Sequence, residues 1–119
     1  MKFILPKNHG IINYLLAVIL LASPSLFGFT GLLAIFTYAI GTLHLVITLL
    51  TDYSVGLVKV IPFHVQGSIE FLLGILLIAL AYLLFTNNAE GKLYYIIFGT
   101  VILLTWLFTD YKSKYELAI

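Results

Sequence analysis

Polar side chains that could do chemistry stand within or beside the long apolar runs of this sequence. The candidates are Glu70, His44, Asn13, Gln66 and His9. An ionisable side chain near the middle of a bilayer costs on the order of 3 kcal/mol, so each such group needs a partner or a function. If the helix around Glu70 begins near Pro62, the carboxyl lies about two turns inside and can titrate, bind a cation or relay protons. If the helix begins near Ser68, Glu70 is instead a first-turn carboxylate at the wet interface, stabilised by the helix dipole.

The spacing of these residues suggests two polar pairs. Gln66 and Glu70 are four positions apart, as are His9 and Asn13, so each pair shares one face of a helix. Either the two pairs converge into one site, or they form two separate interhelical hydrogen-bond clamps, each worth about 1 kcal/mol or less.

His44 stands near the middle of the second apolar run. Its imidazole can hydrogen-bond a backbone carbonyl or Thr48, or it can act as a proton or metal ligand. The histidines are scattered over separate segments and lack a His-Glu-x-x-His arrangement, so we predict no metal site. A phosphate-binding glycine loop, a Gly-x-Ser-x-Gly elbow and a Ser-His-Asp set are also missing, and the sequence therefore predicts neither a cofactor nor an enzyme.

The composition explains why so few polar residues stand out. The chain has 119 residues, of which 62% are hydrophobic and 9% charged, against roughly 25% charged residues in soluble domains. This composition predicts an integral membrane protein. The net charge of +1 includes no basic stripe, so we expect no nucleic acid as a partner, and without cysteine the chain has no disulfide or thiolate chemistry.

Four apolar runs, each of about membrane-spanning length, predict an all-α membrane protein with four transmembrane helices in one domain, 1–119. The predicted spans are about 11–26, 32–50, 65–85 and 93–109. The first connection is expected to be a short turn that contains Ser23, Pro24 and Gly28, because proline and glycine interrupt helices.

Residues of the first half recur about 57 positions later, which predicts two tandem repeats at about 9–54 and 66–112. Each repeat would be one helical hairpin, so the copies run parallel and are related by a pseudo-two-fold axis along the membrane normal. Small residues at matching positions should allow close helix packing. These are Gly10, Gly41, Gly67 and Gly99.

Charges near the span ends predict the orientation. Most lysines lie on the side that holds both termini, so this side is expected to be cytoplasmic. Acidic, basic and tyrosine side chains there are interpreted as interface anchors. These are Asp52, Tyr53, Asp110, Tyr111 and Lys59.

One stretch also suggests a family. It contains His9, Gly10, Asn13, Tyr14, Ser23, Pro24, Ser25, Leu26, Phe27, Gly28 and Phe29. This pattern resembles the SPW repeat of small bacterial membrane proteins, and the segment 51–62 looks like the link between two such repeats. The resemblance implies a two-hairpin fold in a bacterial inner membrane, and it implies no reaction.

Three functions remain open from the sequence. The first is a non-enzymatic membrane bundle that associates with itself or with a larger membrane complex. The second is a small oligomeric channel, transporter or proton-conducting protein that uses Glu70 and His44. The third is a lipid- or quinone-binding protein, whose aromatic residues would wall an apolar pocket.

Overall fold

The computed structural model describes residues 4–52 and 55–109, and this part of the chain forms four helices. They are α1 (Pro6–Phe27), α2 (Gly31–Leu50), α3 (Phe63–Leu83) and α4 (Ala89–Phe108). The prediction of an all-α four-helix bundle is confirmed. All four helices are long and apolar enough to cross a membrane. The protein is therefore an integral membrane protein.

Three helices begin two or more residues earlier than the apolar runs that predicted them. Pro6 occupies the first turn of α1, where its missing N–H leaves no hydrogen bond unmade. α3 begins directly after Pro62, and α4 begins after Asn88, whose side chain accepts a hydrogen bond from the Gly91 amide at 3.0 Å. Hydropathy misses these starts because each contains polar residues, such as Lys7, His64 and Glu90.

Ser23 and Pro24 do not lie in the first connection, so this part of the turn prediction is wrong. Both are buried inside α1, and the turn begins only at Gly28. Pro24 is tolerated because it stands near the helix end, where the amides of Gly28 and Phe29 both bond to its carbonyl oxygen. Gly28 and Gly31 have φ of 69° and 59°, a left-handed conformation that favours glycine.

Within each hairpin the two helices approach closely at glycines. Gly41 of α2 packs against α1, while Gly99 of α4 packs against Gly74 of α3. Gly10 and Gly67 are also buried, near the starts of α1 and α3. Gly74 is a packing position that the sequence analysis did not single out.

The two hairpins are joined at one end of the bundle by their backbones. Thr51, just after α2, pairs with Ile61 before α3, and Thr109, just after α4, pairs with Ile4 before α1. The Ile4 amide also donates to the Phe108 carbonyl at 2.9 Å. The first segment of each hairpin is thus tied to the last segment of the other.

Apolar residues fill the middle of the bundle and cover its outside. The central layer includes Leu16, Ile40, Leu73 and Phe98, one from each helix and each between 5% and 8% exposed. Side chains such as Leu15, Val18 and Leu72 point outward and are more than half exposed, as expected for a lipid-facing surface. Of the predicted anchors, Asp52 and Lys59 are exposed, whereas Tyr53, Asp110 and Tyr111 lie outside the described residues.

Candidate functional site

The five polar candidates come together near the end of the bundle where the hairpins are joined. His9 and Asn13 lie on α1, His44 lies on α2, and Gln66 and Glu70 lie on α3, all between 0% and 2% exposed. We call these five residues the polar cluster. Because they are four positions apart, His9 and Asn13 share the inward face of α1, and Gln66 and Glu70 share the inward face of α3.

Glu70 lies inside the bundle rather than at its surface. Because α3 begins at Phe63, the carboxyl is about two turns into the helix and is 1% exposed. The interpretation of Glu70 as a first-turn carboxylate at the wet interface is therefore wrong. Pro62 decides this, since its fixed φ favours the start of a helix immediately after it.

Glu70 joins the two hairpins through His9. The Glu70 Oε2 atom lies 3.3 Å from His9 Nε2 and accepts a second hydrogen bond from Gln66 Nε2 at 2.6 Å. The two polar pairs thus meet at one carboxylate oxygen. A buried carboxylate that receives hydrogen bonds avoids much of its desolvation cost.

Thr109 fixes where the neutral His9 ring carries its proton. The Thr109 hydroxyl donates to the Thr105 carbonyl, so its oxygen is left to accept from His9 Nδ1 at 2.7 Å. With Nδ1 protonated, the other nitrogen of neutral His9 presents a lone pair to Glu70. One proton must therefore lie between Nε2 and Oε2, either on the imidazole or on the carboxyl, because two lone pairs would otherwise repel each other.

His44 faces the same cluster from α2. Its ring interacts electrostatically with Glu70 and His9, and it has a backbone interaction with Asn13. The hydroxyl of Thr48 donates to the backbone carbonyl of His44 at 2.7 Å, so Thr48 serves the helix backbone rather than the ring.

Several polar atoms of the cluster have no hydrogen-bond partner among the described residues. They are Asn13 Nδ2, Asn13 Oδ1, His44 Nε2, Gln66 Oε1 and Glu70 Oε1. Such an atom costs about 1–3 kcal/mol when it is buried without a partner. A concentration of them in one place is typical of a binding site rather than of a purely structural contact.

A second polar group lies towards the opposite end of the bundle. Thr37 and Tyr95 share a hydrogen bond of 2.8 Å between their hydroxyls, and the Ser23 hydroxyl bonds to that of Tyr94. Sequence reasoning missed Thr37, Tyr94, Tyr95, Thr105 and Thr109 and assigned Ser23 to a turn, although hydroxyl residues in a predicted span were a usable signal. Between the two groups, the part of α2 from Thr37 to His44 spans about 10 Å at 1.5 Å per residue.

The described residues include no group of three or more His, Cys, Asp or Glu side chains arranged to hold a metal ion. Comparisons with models of protein families, with curated proteins and with solved structures find no match for this chain.

Proposed function

We propose that this protein is a small, non-enzymatic membrane protein that binds a proton in the polar cluster and uses it to hold its two hairpins together. The observation that carries the proposal is the contact between His9 Nε2 and Glu70 Oε2, which requires one shared proton. The contact links α1 to α3, so its protonation state bears directly on how the hairpins pack.

Charge counting explains why this site responds to protons. With one shared proton the His9–Glu70 pair is neutral overall, whether the proton lies on the ring or on the carboxyl. Removing the shared proton leaves the pair with one negative charge, and adding a second proton leaves it with one positive charge. Both charged forms cost free energy away from water. Among the described residues, His44 on α2 is the other titratable group facing the pair, while α4 contributes the hydroxyl of Thr109.

The apolar layer favours binding over conduction. Leu16, Ile40, Leu73 and Phe98 lie between the polar cluster and the Thr37–Tyr95 contact and have no polar side-chain atoms to pass a proton along. The cluster lies one to two turns from the end at which the hairpins are joined, so proton exchange is expected from that side only. We propose that this side is cytoplasmic and that the membrane is a bacterial inner membrane.

We also propose that the hairpins are tandem repeats related by a pseudo-two-fold axis. The paired backbone segments support this, because Ile4 and Ile61, like Thr51 and Thr109, are 57–58 positions apart. Thr37 bonds to Tyr95, its counterpart in the second repeat, as expected for residues beside such an axis. Membership in the SPW-repeat family remains a prediction.

The test is the pH dependence of tertiary packing, measured in nanodiscs by the fluorescence of Trp106, the only tryptophan of the chain. Trp106 packs on Phe71 with ring centroids 4.7 Å apart, beside Glu70 in sequence. Glu70→Gln keeps the size of the side chain and an acceptor for Gln66, but its amide cannot share a proton with His9. We expect a pH transition in the unmodified protein that this variant lacks.

Glu90→Gln is the matched control, because Glu90 is an exposed acid in the first turn of α4. It should retain the transition. An identical transition in Glu70→Gln, with unchanged helix content, would overturn the proposal. Proton flux into reconstituted vesicles should equal that of empty vesicles, whereas a flux that Glu70→Gln abolishes would show that the protein conducts.

In this role the protein would act with further copies of itself or as an accessory subunit of a larger membrane complex. Native mass spectrometry of protein extracted gently from its own membrane would test this, because it reports stoichiometry and companion subunits together. A monomer without companions would contradict it.

A further inference from the structure

The unpartnered atoms of the polar cluster are mainly hydrogen-bond acceptors. Asn13 Oδ1, Gln66 Oε1 and Glu70 Oε1 are oxygens that only accept, given that Gln66 uses its amide nitrogen to donate to Glu70. His44 Nε2 is a fourth acceptor when the neutral ring carries its proton on the other nitrogen. The side-chain nitrogen of Asn13 is the only unpartnered donor among them.

These acceptors lie at a similar depth in the bundle, because Asn13 and Glu70 each stand seven residues after the start of their helix and His44 stands six residues before the end of α2. Gln66 bonds directly to Glu70, while His44 interacts electrostatically with Glu70 and approaches the backbone of Asn13. All four residues are between 0% and 2% exposed. They come from three helices, so a ligand bound among them would touch both hairpins.

We propose that the polar cluster binds ammonium, and that this cation replaces the proton shared by His9 and Glu70. Once the shared proton has left, the four N–H donors of ammonium can bond to His9 Nε2 and to the unpartnered oxygens of Asn13, Gln66 and Glu70, and its charge balances the Glu70 carboxylate. Potassium has a similar size but prefers more oxygen ligands than the three unpartnered oxygens here.

This inference rests on the proposed function, because Glu70 serves both the proton and the cation. Exchange of one for the other keeps the cluster neutral, which is the cheapest state inside an apolar bundle. Ammonium should therefore compete with protons, and its apparent affinity should rise as the pH increases, as long as the ligand itself stays protonated.

The experiment compares ammonium chloride with potassium chloride and tetramethylammonium chloride at equal ionic strength. The readouts are the thermal unfolding midpoint and Trp106 fluorescence in nanodiscs, which enclose no lumen in which ammonia could build up a pH gradient. A ligand that binds only the folded state raises the midpoint in proportion to its occupancy. We expect a rise with ammonium and none with the two cations that lack N–H groups.

Asn13→Leu removes one acceptor and leaves the His9–Glu70 pair in place, so it should weaken ammonium binding about 10-fold, as loss of one charge-assisted hydrogen bond does. Asn87→Leu, in the exposed connection between α3 and α4, is the matched control and should bind normally. Equal effects of ammonium and potassium, or no effect of ammonium, would overturn the inference. In that case, a pH transition in the unmodified protein that Glu70→Gln lacks would still support the proposed proton site.

Discussion

Thr109 shows how a single hydroxyl can set the chemistry of a buried pair. Because it donates to its own helix, it can only accept from His9, and this fixes the tautomer of the neutral ring. A residue next to α4 thus determines which nitrogen of the neutral His9 ring carries the hydrogen. The nitrogen that faces Glu70 is left with a lone pair. Neutral imidazoles beside carboxylates commonly depend on such a third group for their orientation.

Thr109→Val tests this role, since valine has nearly the same shape but cannot accept a hydrogen bond. We expect a loss of about 1–3 kcal/mol in the free energy of unfolding, because His9 Nδ1 loses its acceptor in a buried place. Thr100→Val is the control, because Thr100 is exposed and its hydroxyl bonds only to the Ile96 carbonyl of its own helix. Denaturation in detergent micelles measures both, and equal losses would contradict the role of Thr109.

Among the helices, the contact between α3 and α4 is set by two glycines that face each other. A Cβ atom added at Gly99 would come within 2.9 Å of the Gly74 carbonyl oxygen, which belongs to the backbone of α3. A Cβ atom at Gly74 would chiefly meet the Leu103 side chain, at 2.7 Å. Side chains can change rotamer, whereas moving a helix backbone displaces the whole hairpin.

Alanine at these glycines should therefore have unequal effects. We expect Gly99→Ala to lower the free energy of unfolding by about 1–3 kcal/mol, as overpacking commonly does. Gly74→Ala should cost less, because Leu103 can move aside. Comparing the two variants by denaturation provides an internal control, and a larger loss for Gly74→Ala would show that the helix backbones are free to separate.

Buried polar and apolar side chains occupy different levels along the length of the bundle. The polar cluster lies near the end where the hairpin segments pair, the apolar layer occupies the middle, and the hydroxyl contacts of Thr37 and Ser23 lie towards the other end. This arrangement requires the chain to cross the membrane an even number of times between the start of α1 and the start of α3, so that both starts lie on one side. It also gives the site a single direction of access.

Chemical labelling tests this topology directly, because the natural sequence contains no cysteine. Lys59→Cys and Asn87→Cys place one thiol in each of two exposed connections at opposite ends. In intact bacterial cells, a membrane-impermeant maleimide should label the cysteine at position 87 and leave that at position 59 unlabelled. Labelling of both from the same side would contradict a four-span topology, and the reverse pattern would place the polar cluster towards the outside.

The amino-acid sequence by itself determined the class of this protein. Apolar runs predicted four spanning helices, and the four-residue spacing of Gln66 and Glu70 matches their hydrogen bond, because hydropathy and helix period are local properties. The same local reasoning failed at Ser23 and Pro24, where a following glycine and not the proline ends the helix.

Only the tertiary structure decided which polar groups meet. The contact between His9 and Glu70 joins residues 61 positions apart, and that between His9 and Thr109 joins residues 100 positions apart. Such contacts depend on how each helix is rotated about its own axis and on where its first turn begins. Those quantities are set by packing across the whole bundle, so no local pattern in the sequence contains them.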